Sequence, residues 1–158
     1  MFDFLIEIHP YDLENGIDGL STANITINGE YGSLTSKRDK PPYQDMMIFI
    51  SITNLLYKII KLIKNEIKEY NFVGIDCSFQ FYILNKNNTF ILTDSKMNTI
   101  TEATSKELVI SIGNGVDSFM SKYRCYLKKN DGVTIDLDNS IKEFKNQFSD
   151  IIDSSKER

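Results

Sequence analysis

The hydrophobic pattern of the chain is strongest between Gln44 and Lys68, where apolar side chains recur with the period of an α-helix. Ten of them fall on one arc of roughly 160° on a helical projection, and lysine and asparagine side chains lie opposite. An apolar stripe this wide must be buried. The sequence therefore predicts a long helix that packs on a sheet. The ten residues are Ile48, Phe49, Ile52, Leu55, Leu56, Ile59, Ile60, Leu62, Ile63 and Ile67.

Alternation of apolar and polar side chains predicts two strands before this helix. Residues 2–9 alternate with a period of two, as in a half-buried strand, and residues 22–28 do the same. Residues 11–19 hold two turn dipeptides and are predicted to form a loop between the strands. The hairpin dipeptide Asn28-Gly29 then predicts a short third strand over residues 30–34.

Short apolar runs predict a second group of strands after the long helix. Residues 79–84 and 89–93 are predicted as strands joined by a hairpin loop over residues 85–88. The run at residues 106–112 is also predicted as a strand, and residues 99–101 as at most a strand fragment.

The last third of the chain returns to helical periodicity. Residues 113–115 are predicted as a turn, followed by a helix over residues 116–127 that residues 130–132 end. Cys125 lies off the apolar arc of this helix and is expected outside the main core. A final helix is predicted over residues 137–152, because its apolar side chains fit within an arc of about 100°.

These elements predict an α+β fold in a single domain. The order is β-β-(β)-α-β-β-β-α-α, with hairpin links that favour a mainly antiparallel sheet packed against a long central helix, with two C-terminal helices. The length of 158 residues and the 41% hydrophobic and 25% charged side chains are typical of one globular domain. The domain is expected to span residues 1–153, with a flexible polar tail over residues 154–158.

The sequence contains no recognisable catalytic set. Gly113-Asn114-Gly115 is not followed by the lysine of a phosphate-binding loop, and His9 is the only imidazole. Cys77 and Cys125 are expected to be reduced thiols, although a disulfide between them stays open, and one histidine with two cysteines is too few for a structural zinc site. Residues 12–18 fail the calcium-loop pattern. We therefore expect neither an enzyme nor a bound metal or cofactor, while 22 acidic residues leave a paired-carboxylate hydrolase open.

Charge is distributed unevenly along the chain. Residues 1–36 contain six acidic and no basic side chains, and the whole chain has a net charge of −4, which disfavours nucleic-acid binding. This acidic segment could attract a basic protein, or it could be only a solvated hairpin. A second candidate is the group of apolar side chains that lie off the main arc of the long helix, unless the loop over residues 30–40 covers them. The candidate partner-binding residues are Glu7, Asp12, Glu14, Asp18, Met46, Ile50 and Tyr57.

No segment is predicted to enter a membrane or to direct secretion. The N-terminus lacks the basic start and the apolar stretch of a signal peptide. Residues 46–57 are uncharged for only twelve positions, whereas a membrane span needs about 20. A cytoplasmic location is therefore expected.

The predicted layout and acidic composition resemble the immunity proteins of bacterial toxin–immunity and contact-dependent inhibition systems. The resemblance covers most of the chain and rests on the order of elements, without a shared motif. It implies a cytoplasmic protein that binds a cognate toxin domain, often a nuclease, and neutralises it. The alternatives are a small-molecule-binding or regulatory α+β domain with a cavity between helix and sheet and, less favoured, a hydrolase with an acidic site. The oligomeric state is not predicted.

Overall fold

The computed structural model describes residues 1–157, which form an α+β fold with two four-stranded antiparallel sheets and five α-helices. The first sheet has the order β1-β2-β3, with β4 also paired to β2, and the second has the order β5-β6-β7-β8. The strands are β1 (Asp3–Ile8), β2 (Thr22–Asn28), β3 (Ser33–Thr35), β4 (Met46–Met47), β5 (Glu69–Val73), β6 (Gln80–Lys86), β7 (Thr89–Thr93) and β8 (Thr99–Ala103). The helices are α1 (Pro10–Asn15), α2 (Ile48–Ile63), α3 (Ser105–Tyr123), α4 (Gly132–Gln147) and α5 (Ser149–Lys156).

The first sheet confirms the predicted N-terminal strands. Strand β1 pairs antiparallel with β2 in a register that places Phe4 opposite Ile27 and Ile6 opposite Ile25. Phe4 and Ile27 are buried, whereas Leu5 lies on the opposite face and is exposed. The period of two in the sequence therefore separates a core face from a solvent face, as expected for a half-buried antiparallel sheet.

The predicted long helix is confirmed, but it is shorter than predicted. It begins at Ile48 and ends at Ile63. Met46 and Met47 pair with Ala23 and Thr22 of β2, so these two residues are extended. After the last turn, Asn65 adopts a φ of 60°, a left-handed conformation that asparagine tolerates and that ends the helix. Nine of the ten apolar side chains on the predicted arc lie within α2, and eight of these nine are buried; α4 is the main element that packs against α2.

The second sheet is built around a cluster of phenylalanine rings. Phe72 of β5 stacks on Phe81 of β6 with ring centroids 4.7 Å apart. The predicted hairpin loop is confirmed, since Asn87 and Asn88 have φ angles of 53° and 66°, which match a two-residue turn between antiparallel strands. Strand β8 pairs with β7, so the predicted fragment at residues 99–101 is a full strand.

The prediction of a strand over residues 106–112 is wrong, because these residues form the first half of α3. Thr104 caps this helix: its hydroxyl accepts from the N–H of Glu107 at 3.2 Å, and its own N–H donates to the Glu107 carboxylate at 2.8 Å. The second of these bonds is the main cause of the lowered pKa of Glu107. This capping box fixes the helix start. Because the helix continues through Gly113 and Gly115, the predicted turn at residues 113–115 is also wrong.

The C-terminal segment forms two helices that meet at Phe148, where a single helix over residues 137–152 was predicted. Helix α4 begins earlier than expected, because the Asp131 carboxylate caps it by accepting from the N–H of Val133 at 3.2 Å. Residues up to Lys156 of the expected polar tail are helical, and Arg158 lies outside the described residues. Cys77 and Cys125 are both free, and Cys125 is exposed, as predicted.

A short helix, α1, occupies part of the segment that was predicted as a loop. His9 caps it, because its Nδ1 accepts from the N–H of Tyr11 at 3.1 Å. This nitrogen therefore carries no proton in the cap, and Nε2 lies 3.6 Å from the Asp45 carboxylate. Pro10 follows the cap as the first helical residue, where its missing N–H costs nothing.

The capping role of His9 leads to a stability prediction. We expect His9→Ala to lower the free energy of unfolding by about 1 kcal/mol, as for other lost N-caps, and to speed amide exchange in α1. His9→Asn should retain most of this stability, because its side-chain oxygen can accept the same bond. Urea unfolding and hydrogen exchange measure both effects. If the two variants are equally unstable, the cap is not what His9 contributes.

None of the helices formed by residues 1–157 combines the length and the apolar character needed to cross a membrane.

Candidate functional site

A groove of about 750 Å³ lies between strand β1 and helix α3. The two elements run side by side in the same direction: the Met1 amino group lies 3.5 Å from the Glu107 carboxylate at one end, and Gly115 packs on Phe4 farther along. A Cβ on Gly115 would come within 2.1 Å of the Phe4 carbonyl oxygen. Glycine at position 115 therefore allows helix α3 to touch strand β1, and this contact forms the floor of the groove at this point. Beyond it, the wall includes Pro10, Leu13, Lys122 and Tyr123.

Strand β1 is an edge strand of the first sheet, and the main-chain groups on its unpaired side face the groove. The His9 N–H donates to Thr22 O at 2.9 Å, whereas Ile25 bonds to Ser36 on the far side of β2. Because hydrogen-bonded and non-bonded pairs alternate in an antiparallel ladder, the N–H and C=O groups of Phe4, Ile6 and Ile8 point away from β2. Among the strands of residues 1–157, none pairs with this edge.

A buried hydroxyl group also belongs to the groove wall. Ser111 of α3 is only 5% exposed, and its Oγ has no hydrogen-bond partner within the described chain. Buried hydroxyl groups are normally satisfied, and leaving one unpaired costs about 1–3 kcal/mol. The Ser111 hydroxyl is therefore a buried polar group without a partner among the described residues.

Exposed carboxylates and apolar side chains border the groove. Asp3, Leu5 and Glu7 project from the solvent face of β1, and Glu14 is exposed on α1. Leu5 is 45% exposed and Leu13 is 55% exposed. The Lys37 amino group lies 3.6 Å from the Glu7 carboxylate. Both side chains are exposed, and such an ion pair contributes little to the stability of the fold. Asp3 and Glu7 line the groove, whereas Glu14 follows the lining residue Leu13 on α1; we call Asp3, Glu7 and Glu14 the acidic rim.

Two of the predicted acidic contact residues also have structural roles. The Asp12 carboxylate accepts from both the N–H and the hydroxyl of Thr22, at 2.9 and 3.0 Å. Asp18 accepts from the N–H of Leu20 at 2.8 Å within a turn. Both side chains stabilise the connection between β1 and β2, and Asp18 is exposed, as Glu7 and Glu14 are.

The structure separates the members of the apolar group that was predicted on the long helix. Met46 is fully buried and lies against Gly74, so its prediction as a partner-binding residue is wrong. The helical projection failed there because Met46 is extended and paired to β2. Ile50 is half-buried, and Tyr57 is 39% exposed. Tyr57 lies in a different cleft of about 590 Å³ between α2 and α4 and does not line the groove.

A third, smaller cavity lies among helices α2 to α5. Its volume is about 80 Å³, and its lining is mainly apolar, with Leu56 and Phe144 among the side chains. The ion pair between Lys145 and Asp117, 3.1 Å apart, belongs to the same lining. Ligand pockets for drug-sized molecules measure about 300–1,000 Å³. This cavity is therefore too small for a ligand of that size.

The pKa shifts among the titratable groups have local causes. The two carboxyls whose pKa is shifted, Asp94 and Glu107, are both lowered by hydrogen bonds, Asp94 mainly by the Asn98 side chain. Burial raises the pKa of the Cys77 thiol and of Tyr70, which keeps both protonated. Within residues 1–157, no three His, Cys, Asp or Glu side chains are grouped so that they could hold a metal ion.

The main functional features of the groove were not predicted from the sequence. The edge of β1 could not have been inferred, since a later strand can pair with the free side of a first strand. Ser111 was unpredictable, because residues 106–112 were assigned to a strand and its burial depends on the packing of α3 beside β1.

Comparison with known proteins gives no relative for this chain: no family model, curated protein or solved structure matches it.

Proposed function

We propose that this chain is an immunity-type protein that binds a cognate toxin domain and neutralises it by protein–protein contact. The observation that carries the proposal is the acidic rim beside the groove between β1 and α3. The proposal implies a cytoplasmic protein whose partner presents a basic surface. It requires no catalytic residue, metal or cofactor in this chain.

The rim and the groove supply the two components that a tight interface needs. Carboxylates at an exposed rim attract a basic surface over distances of about 8 Å at physiological salt and so raise the association rate. Leu5 and Leu13, both about half exposed, offer apolar area that is desolvated on contact. Apolar anchors of this kind mainly slow dissociation.

The roles of the carboxylates can be tested by charge reversal. Replacing Asp3, Glu7 and Glu14 by lysine should slow association with the toxin domain by at least about tenfold at low salt and leave dissociation nearly unchanged. Wild-type association should fall as salt rises, and the variant should lose this dependence. The measurement is binding kinetics at two salt concentrations, with the protein that the wild-type chain captures from its source organism as the partner.

A second triple variant controls for net charge. Glu66, Glu69 and Glu143 are exposed and do not line the groove, and reversing them also changes the net charge from −4 to +2. If the rim guides the partner, this control should associate much faster than the rim variant. Equal rates for the two variants would mean that only total charge matters, and the rim would lose its assigned role.

The alternative of a small-molecule-binding domain finds less support. The cavity among the helices holds about 80 Å³, and the larger groove and cleft are open to solvent on the molecular surface. Purification of the protein with a retained small molecule would favour this alternative over toxin neutralisation.

A further inference from the structure

We propose that the groove between β1 and α3 binds an extended, basic segment of the partner protein, which adds to the first sheet as a strand beside β1. This inference rests on the proposed function for the identity of the partner, since the segment would belong to the toxin domain. It goes further by naming the mode of recognition: main-chain hydrogen bonds at Ile6 and Ile8, with side chains in the groove.

The main-chain groups of Ile6 and Ile8 are the first reason. Their N–H and C=O groups point away from β2, as the His9–Thr22 bond shows, and no strand of the described chain meets them. Natural proteins usually cover such an edge or blunt it with charge or proline. Here α3 touches the edge at Phe4 through Gly115, and Ile6 and Ile8 line the groove. A short strand can therefore pair at these two residues.

The charges that line the groove favour cationic side chains on its β1 side. Asp3 and Glu7 line it from β1, although the Lys37 amino group lies 3.6 Å from the Glu7 carboxylate and the Met1 amino group also belongs to the lining. Lys122 lines the opposite wall on α3, so the complementary segment should place its cationic side chains toward β1. Alternate side chains of an added strand face opposite sides, which suits a pattern of basic and apolar residues.

The test uses a library of random twelve-residue peptides displayed on phage, selected against the whole protein. We expect enrichment of peptides with alternating basic and apolar residues, which in complex protect the Ile6 and Ile8 amides from hydrogen exchange at least about tenfold. Ile6→Pro removes the outward N–H without removing a bond to β2, and proline is tolerated on the free side of an edge strand. It should weaken peptide binding at least about tenfold, whereas Ile6→Val should not.

Each other outcome contradicts the proposal. Failure to enrich peptides over an unrelated bait, or enriched peptides that leave the Ile6 and Ile8 amides unprotected, would show that the edge does not accept a strand. Protection of these amides in the protein alone, with a dimeric mass, would assign the edge to a second copy of this chain. If Ile6→Pro does not fold, exchange in the wild type decides alone. Peptide binding without toxin neutralisation would leave this inference standing and overturn the proposed function.

Discussion

Truncation of Phe144 to alanine is expected to lower the free energy of unfolding by about 3–5 kcal/mol, the usual cost for a buried phenylalanine. For a chain of this length that corresponds to a fall in melting temperature of roughly 10 °C. Phe144 is 3% exposed and lies next to Gly113 of α3. Its ring packs edge-on against that of Phe148, with the ring centroids 5.1 Å apart. It already borders a small cavity, which truncation would enlarge. Thermal and urea unfolding measure the effect.

Ile135 provides the matched control on the same helix. It is 47% exposed, so Ile135→Ala should change stability by no more than about 0.5 kcal/mol. An unchanged melting temperature for Phe144→Ala would mean that α4 does not dock on the core through this side chain.

Two glycines on α3 should respond to alanine with opposite signs. Gly115→Ala would place a methyl group 2.1 Å from the Phe4 carbonyl oxygen, which is main chain and cannot rotate away. We expect a loss of about 2 kcal/mol, because strand and helix must separate. At Gly113 the new methyl group would contact only the Phe144 ring, at 3.6 Å, which is an ordinary van der Waals distance. Gly113→Ala should therefore add about 0.5–1 kcal/mol through helix propensity.

The difference between the two variants tests the contact between β1 and α3, because both remove a glycine from the interior of one helix. Urea midpoints of the two proteins give the answer directly. If Gly115→Ala is as stable as Gly113→Ala, β1 does not approach α3 as closely as described, and the groove between them has a different shape.

The sequence predicted the fold best where one pattern dominated. The alternation in residues 2–9 predicted both the strand and its buried face, because sheet geometry separates neighbouring side chains. The apolar arc of α2 was equally clear, although its start was placed four residues early. Met46 and Met47 are apolar, and only their pairing with β2, a long-range contact, separates them from the helix.

The sequence failed where local patterns compete. Residues 106–112 contain a run of β-branched side chains and precede two glycines, which favours a strand and a turn. The capping box of Thr104 and Glu107, together with burial of Leu108 and Ile112, outweighs that preference. Gly115 is inside a helix because Phe4 needs the space, and a partner from the other end of the chain cannot be read from local sequence.

The candidate site was predicted only in part. Excess acid in the first 36 residues correctly pointed to Glu7 and Glu14 as exposed carboxylates. Asp12 was indistinguishable from them in sequence, although Thr22 engages it in the fold. The groove joins β1 to α3 across about 100 residues of chain, so no local pattern could have revealed it.

The most direct test of the proposed function is growth of cells that produce the protein partner captured by this chain from its source organism. We expect the wild-type protein and the control triple variant of Glu66, Glu69 and Glu143 to restore growth. The rim variant of Asp3, Glu7 and Glu14 should restore it poorly while remaining folded by circular dichroism. Failure of the wild-type protein to protect, or equal protection by the folded rim variant, would contradict the claim that this chain neutralises a toxin through its acidic rim.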